Sequence, residues 1–264
     1  MNSNLLIWLN TVSLLVMLSG NYFWGSGALG TTTVGEISAK YTTLITPAGY
    51  AFSIWGIIYL LLIAFVVYQW VNRSPEKDRE SLEPSGPWFL ISNLANLGWL
   101  IAWTNDQIGW SLVLMALLLF SLIRLAIRLR LEIWDAPVRI IGLVWWPICI
   151  YIGWIVLAAV LNVAVYLKSI GWTGGPLSES QWAITMILAA GLIYLFLTFN
   201  RNMRETSFVG IWGLVAIMIA LPPDEAAIWW TALVVSVVIF TAANVHAMKN
   251  TYTLPFNKIR RGEI

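Results

Sequence analysis

Few residues in this chain can do chemistry, and where they fall excludes most reaction classes. All thirteen Asp and Glu residues lie in polar stretches or at the ends of apolar ones, so no carboxylate relay for protons or sodium is expected. Asp106, at the end of an apolar stretch, is a minor exception. The single cysteine, Cys149, sits inside an apolar run and excludes an intrachain disulfide. The single histidine, His246, has none of the Cys, His or carboxylate neighbours that metal-site spacing requires. No nucleophile elbow accompanies it, which leaves Ser/His/Asp hydrolysis without support. No lysine occupies an apolar run, so a retinal Schiff base is excluded. The residues give no catalytic constellation, no metal site and no required cofactor.

What remains is aromatic and amide. Phe52, Trp55 and Tyr59 recur at spacings of three and four in PAGYAFSIWGIIYLLLIAFVVYQW, which puts three rings on one helix face. Asn96, Trp99 and Trp103 repeat the pattern in SNLANLGWLIAW, and Trp154, Ala158 and Asn162 do so again further on. Periodicity alone fits plain packing against neighbouring helices equally well. Asn93 and Asn162 are accounted for by a hydrogen bond to an adjacent helix. Three faces of Trp or Phe beside small residues also describe a flat-walled apolar pocket with a few amide groups. Such a pocket suits a large, planar, mostly apolar ligand held by stacking.

The elements that must position these faces are membrane helices. The chain is 59% hydrophobic and 11% charged, with a mean hydropathy of +0.77 and 17 tryptophans; soluble domains carry about 25% charged residues. Eight apolar spans are expected, over roughly 4–22, 48–71, 87–105, 109–129, 139–165, 181–200, 207–222 and 226–247. The first lacks the basic n-region of a secretory signal and reads as a membrane helix. The predicted class is an all-α integral membrane protein of about eight transmembrane helices. Trp24, Trp70, Trp88, Trp110, Trp172, Trp229 and Trp230 stand near span ends, where interfacial anchoring is expected.

Loop charges test the count independently. Arg73, Lys77, Arg79, Arg124, Arg128, Arg130, Arg139, Arg201, Arg204, Lys249, Lys258, Arg260 and Arg261 fall on one side of an eight-span topology. Only Lys40 and Lys168 fall on the other. The positive-inside rule then places both termini in the cytoplasm, a pattern that suits a bacterial inner membrane. A net charge of +2 gives no argument for nucleic acid; the expected partners are the bilayer and a hydrophobic small molecule. The loop of about 25 residues between Phe23 and Pro47 falls outside and leads into the first aromatic face, as a lid would.

These motifs resemble the TspO/MBR family, the tryptophan-rich sensory and translocator proteins. The family's second helix carries a pattern like P-P-G-W-x-F-G-P-x-W-x-x-x-Y, of which Pro47, Gly49, Phe52, Trp55 and Tyr59 are kept here. Asn96 and Trp99 match the L-N-x-x-W of its third helix, with Ala95 in place of leucine. Tyr151, Trp154, Ala158, Leu161 and Asn162 match its fifth. Ala48, Tyr50, Ser53, Ile54, Ile150 and Leu157 depart from the pattern. The resemblance covers residues 1–165. It implies a five-helix TspO-like core there, followed over 166–264 by three additional C-terminal helices and a short cytoplasmic tail.

Family members are often dimeric and bind porphyrins, sterols and synthetic aromatic ligands beneath the first loop. The resemblance therefore implies that Trp55, Asn96, Trp99 and Trp154 line a pocket, with Phe52, Tyr59 and Ala158 beside them. It implies a binding protein, sensor or carrier for a planar hydrophobic ligand such as a porphyrin or haem-type molecule, and a homodimer as its assembly. A small-molecule transporter using all eight helices is the alternative. An enzyme, including one for light-driven porphyrin breakdown, is not expected.

Overall fold

The aromatic stripe of the second span starts on a tight turn. Gly49–Ser53 winds as a 3₁₀ helix and hands over to the α-helix Ile54–Val71, in a computed structural model that describes residues 2–27, 32–74, 76 and 79–263. Lys77 lies outside the described residues, as does the stretch 28–31 of the long first loop. We label the helices α1 (Ser3–Gly25), α2 (Val34–Lys40), α3 (Ile54–Val71), α4 (Trp88–Thr104), α5 (Ile108–Arg128), α6 (Val138–Ser169), α7 (Glu179–Arg201), α8 (Arg204–Ala220), α9 (Ala226–Lys249) and α10 (Pro255–Arg260).

Among the described residues, eight of these have 17 residues or more. All are long enough to cross a hydrocarbon core of about 30 Å, for which ~17–25 residues suffice. Six are at least 18 residues long and strongly apolar; α4 and α8, with 17 residues each, are the shortest. The chain is an all-helical integral membrane protein. Its outward faces are apolar, with Leu60 and Leu192 at 70% and 67% exposure. Lipid, not water, is the solvent for such surfaces.

The helix at the centre is α6. Two-thirds of its apolar window (67%) is buried, against 33–39% for the other five, because α3, α5, α7 and α8 all pack on it. Pro147 removes one backbone donor near its start, and Ile141–Trp145 widens into a π-turn just before it. On the α8 side, α6 approaches through Gly153, where a Cβ would meet Val209 at 2.9 Å and the Thr206 backbone at 3.1 Å. Polar pairs bridge other helices: Asn93 Nδ2 donates to Ser13 Oγ at 3.0 Å, Asn162 Nδ2 to Ser111 Oγ at 3.2 Å, and Asn10 Nδ2 to Gln69 Oε1 at 3.1 Å.

Contacts between loops order the two ends. Arg73 reaches Asn4, Arg139 faces Glu80, Asn202 donates to the Glu132 carbonyl and Lys258 pairs with Asp135. Both termini and the α3–α4, α5–α6 and α7–α8 loops therefore share one end, which holds most of the described basic residues. The other end carries α2, the Lys40–Asp106 pair and the Lys168–Glu179 pair.

Helices α7, α8 and α9 pack on one another, and α8 also packs on the entry to α3. The Ala48 amide donates to the Ala216 carbonyl at 2.9 Å, the Trp212 indole donates to the Ala51 carbonyl at 3.1 Å, and Tyr50 sits edge-on to Trp212 at 5.0 Å. Helix α8, itself packed on α7 and α9, thus clamps the turn from which the aromatic stripe grows.

Candidate functional site

The three aromatic faces meet. Trp55 of α3 stacks on Tyr59 of its own helix at 5.5 Å and on Trp99 of α4 at 6.3 Å, with interplanar angles of 27° and 29°. It stands edge-on to Trp154 of α6 at 6.4 Å and to Tyr151 at 5.9 Å. Phe52 stands edge-on to Trp154 at 6.1 Å, and Trp99 leans on Trp103 at 5.8 Å. Such geometries suit the ring quadrupoles, which disfavour face-to-face sandwiches.

Phe52, Trp55, Trp99, Trp154 and Ala158 line a cleft that Val34, Ser38, Thr43, Thr46 and Pro47 close from above. Asn96, expected to line the pocket, and Tyr59, expected beside it, both stand behind the wall. The Tyr59 hydroxyl donates to Asn21 Oδ1 at 2.7 Å, Asn21 Nδ2 donates to Asn96 Oδ1 at 2.9 Å, and Asn96 Nδ2 donates to the Tyr151 hydroxyl oxygen at 3.0 Å. This chain ties α1, α3, α4 and α6 together beneath the rings. Its role is to fix the wall, because both Asn96 oxygen and nitrogen are spent on protein partners. Sequence reasoning missed Asn21, since periodicity assigns a residue to a face but not to a neighbouring helix.

Two of the residues that line the cleft carry an unspent donor. The indole nitrogens of Trp99 and Trp154 are buried without a hydrogen-bond partner, although the residues are only 6% and 1% exposed. A buried donor left unpaired costs about 1–3 kcal/mol. As it stands the cleft encloses only about 40 Å³. A larger cavity of about 360 Å³ adjoins it across Thr43, bounded by the C-terminal end of α6 and the N-terminal end of α7, with Trp172, Trp182 and Met186 in its wall.

The stretch that closes the cleft includes a short helix, α2, that the sequence signals. Thr33 and Glu36 form a reciprocal capping box that starts α2. Two tethers hold α2 to α4: the Trp103 indole donates to the Val34 carbonyl at 3.2 Å, and Lys40 pairs with Asp106 just beyond the end of α4. The hydrogen bond from Lys40 holds the Asp106 carboxyl below its usual range and raises the Lys40 ammonium. Asp106, considered from the sequence as an exception in a proton relay, is thus the partner of Lys40 at the end of α2.

At the terminus-bearing end the fold gathers groups that are far apart in the chain. Glu132, Cys149 and Glu205 bring potential ligand atoms within 4.8 Å of one another, where spacing along the sequence shows no such cluster. Burial, then the nearby Glu205, raises the Glu132 carboxyl well above the usual range, while the Arg204 guanidinium opposes the rise. The Trp146 indole donates to Glu205 at 3.3 Å.

A family model described as TSPO-like protein matches residues 7–245, a stretch that runs through all eight long helices. No curated protein and no solved structure matches the chain.

Proposed function

Because the chain belongs to the TSPO-like family, we propose that it is a membrane-embedded binding protein, acting as a sensor or carrier for a planar, mostly apolar ligand such as a porphyrin. The ligand lies among Phe52, Trp55, Trp99, Trp154 and Ala158 under α2, with Tyr59 and Asn96 bracing the wall. The observation that carries this reading is the pair of buried, unpaired indole donors of Trp99 and Trp154 within one ring cluster. A ligand with acceptor atoms would satisfy both while its faces stack on the rings.

Pockets for drug-sized ligands measure about 300–1,000 Å³, so the 40 Å³ cleft is a closed state. Opening requires α2 and the Thr43–Thr46 turn to lift, which joins the cleft to the 360 Å³ cavity beside it. Residues 1–165 supply the ring cluster and residues 166–264 brace it through α8. Both termini lie in the cytoplasm of a bacterial inner membrane in this proposal, consistent with the basic terminus-bearing end. The test is retention of protoporphyrin IX by purified protein, read by absorbance after gel filtration. Wild type retains it and Ala158→Trp, which fills the cleft, loses it; equal retention would remove the ligand from this site.

One observation favours the transporter alternative. Glu132 and Glu205 place two carboxylates in the protein interior, the kind of group that couples transport to protons. Uptake into vesicles that responds to an imposed proton gradient, and loses that response in Glu132→Gln, would support it. Gradient-insensitive flux would exclude coupling.

A further inference from the structure

A second cavity has no part in the proposed site. A groove of about 580 Å³ runs along the lipid-facing side of the bundle between α5, α6 and α7, walled by Ile123, Ile127, Val156, Val160 and Phe196. On α6 its lining extends from Ile152 to Val163, roughly 16 Å at 1.5 Å per residue. That is about half the ~30 Å hydrocarbon core, the depth of one leaflet.

The groove has one cation. Arg201, at the C-terminal end of α7, closes it at the terminus-bearing end, and its Nη2 is buried with no hydrogen-bond partner. A guanidinium nitrogen left dry and unpaired is costly, and its planar fork is shaped for phosphate. Helix α7 already ends in an αL cap at Asn202, whose amide takes the Leu197 carbonyl. Capping therefore does not explain the unpaired nitrogen.

We propose that this groove holds one acyl chain of an anionic phospholipid, whose phosphate accepts from Arg201. Charge complementarity selects this occupant. A sterol or an uncharged lipid fills the apolar walls but leaves Arg201 without its anion. A free phosphate satisfies Arg201 but leaves the walls empty. A basic pocket between membrane helices beside one leaflet is the setting in which anionic head groups are recognised.

The test is native mass spectrometry of the full-length protein in detergent, titrated with phosphatidylglycerol or with phosphatidylcholine of the same chains. Wild type is expected to retain one phosphatidylglycerol with roughly fivefold preference, the worth of about 1 kcal/mol for one basic residue. Arg201→Gln removes the preference, Arg201→Lys keeps most of it, and Val160→Trp reduces retention of both lipids by occupying the groove. The lysine and tryptophan variants keep the proposal testable if the glutamine variant does not fold. Equal retention of the two lipids by wild type overturns the proposal, as does a preference that survives Arg201→Gln. Displacement of phosphatidylglycerol by inorganic phosphate would assign Arg201 to a free anion, and a lipid-free dimer with Arg201 shielded would assign the groove to a second copy; either result also overturns it.

Discussion

At the residue scale, Asn96 is where sequence and structure part company most usefully. Its match to the family motif suggests a ligand contact, yet both ends of its amide are spent on Asn21 and Tyr151. Asn96→Ala should cost about 1–3 kcal/mol of stability by stranding two buried partners. Tyr59→Phe, which removes one hydroxyl, should cost about 0.5–1.5 kcal/mol. Thermal denaturation in detergent orders the two; the reverse order would mean that Asn96 faces the cleft. Glu132 makes a pH prediction. Its folded value lies above its unfolded one, so it adds no penalty below the ordinary carboxylate range and destabilises as pH rises through the raised value. Glu132→Gln should therefore raise the melting temperature at pH 7.5 and leave it unchanged at pH 4. A rise of equal size at both would contradict the burial account.

At the element scale, the lid and the clamp make separate predictions. Helix α2 is held by Trp103 and by the Lys40–Asp106 pair. Because Lys40 depresses the Asp106 carboxyl, the tether is present above the ordinary carboxylate range and is lost as pH falls through the depressed value. Asp106→Asn should speed association of protoporphyrin several-fold at neutral pH without altering helix content, as stopped-flow fluorescence would record. An unchanged rate would mean that α2 does not gate entry. The α6–α8 contact leaves no room at Gly153 for a side chain. Gly153→Leu should push α8 away, free the Trp212 indole from Ala51 and shift its fluorescence to the red; an unshifted spectrum would show that α6 and α8 tolerate separation.

At the scale of the whole molecule, the eight helices were legible because a bilayer admits little else: backbone groups must be satisfied within each span, so length and hydropathy suffice. The faces bearing Phe52, Trp55, Trp99, Trp154 and Ala158 were legible because helical period fixes which residues align. Period cannot say which helix lies opposite. Asn21 behind the wall, the Glu132–Cys149–Glu205 gathering and Arg201 in its groove therefore emerged only from packing. The lid helix was within reach, since Thr33 and Glu36 spell a capping box. The bonds from α8 to Ala48 and Ala51 give that helix a structural task. A chain ending at residue 169 should aggregate in detergent or lose porphyrin binding; a stable, binding-competent truncation would show that α8 is dispensable.

The claim that a planar ligand sits among the α3, α4 and α6 rings is tested most directly by tryptophan fluorescence of the purified protein titrated with protoporphyrin IX. The comparison is a Trp55→Phe/Trp154→Phe double variant. Saturable quenching in the micromolar range that weakens at least tenfold in the variant, a change of about 1.4 kcal/mol, is the expected result. Quenching that is linear in porphyrin, or that saturates identically in the two proteins, would contradict the account.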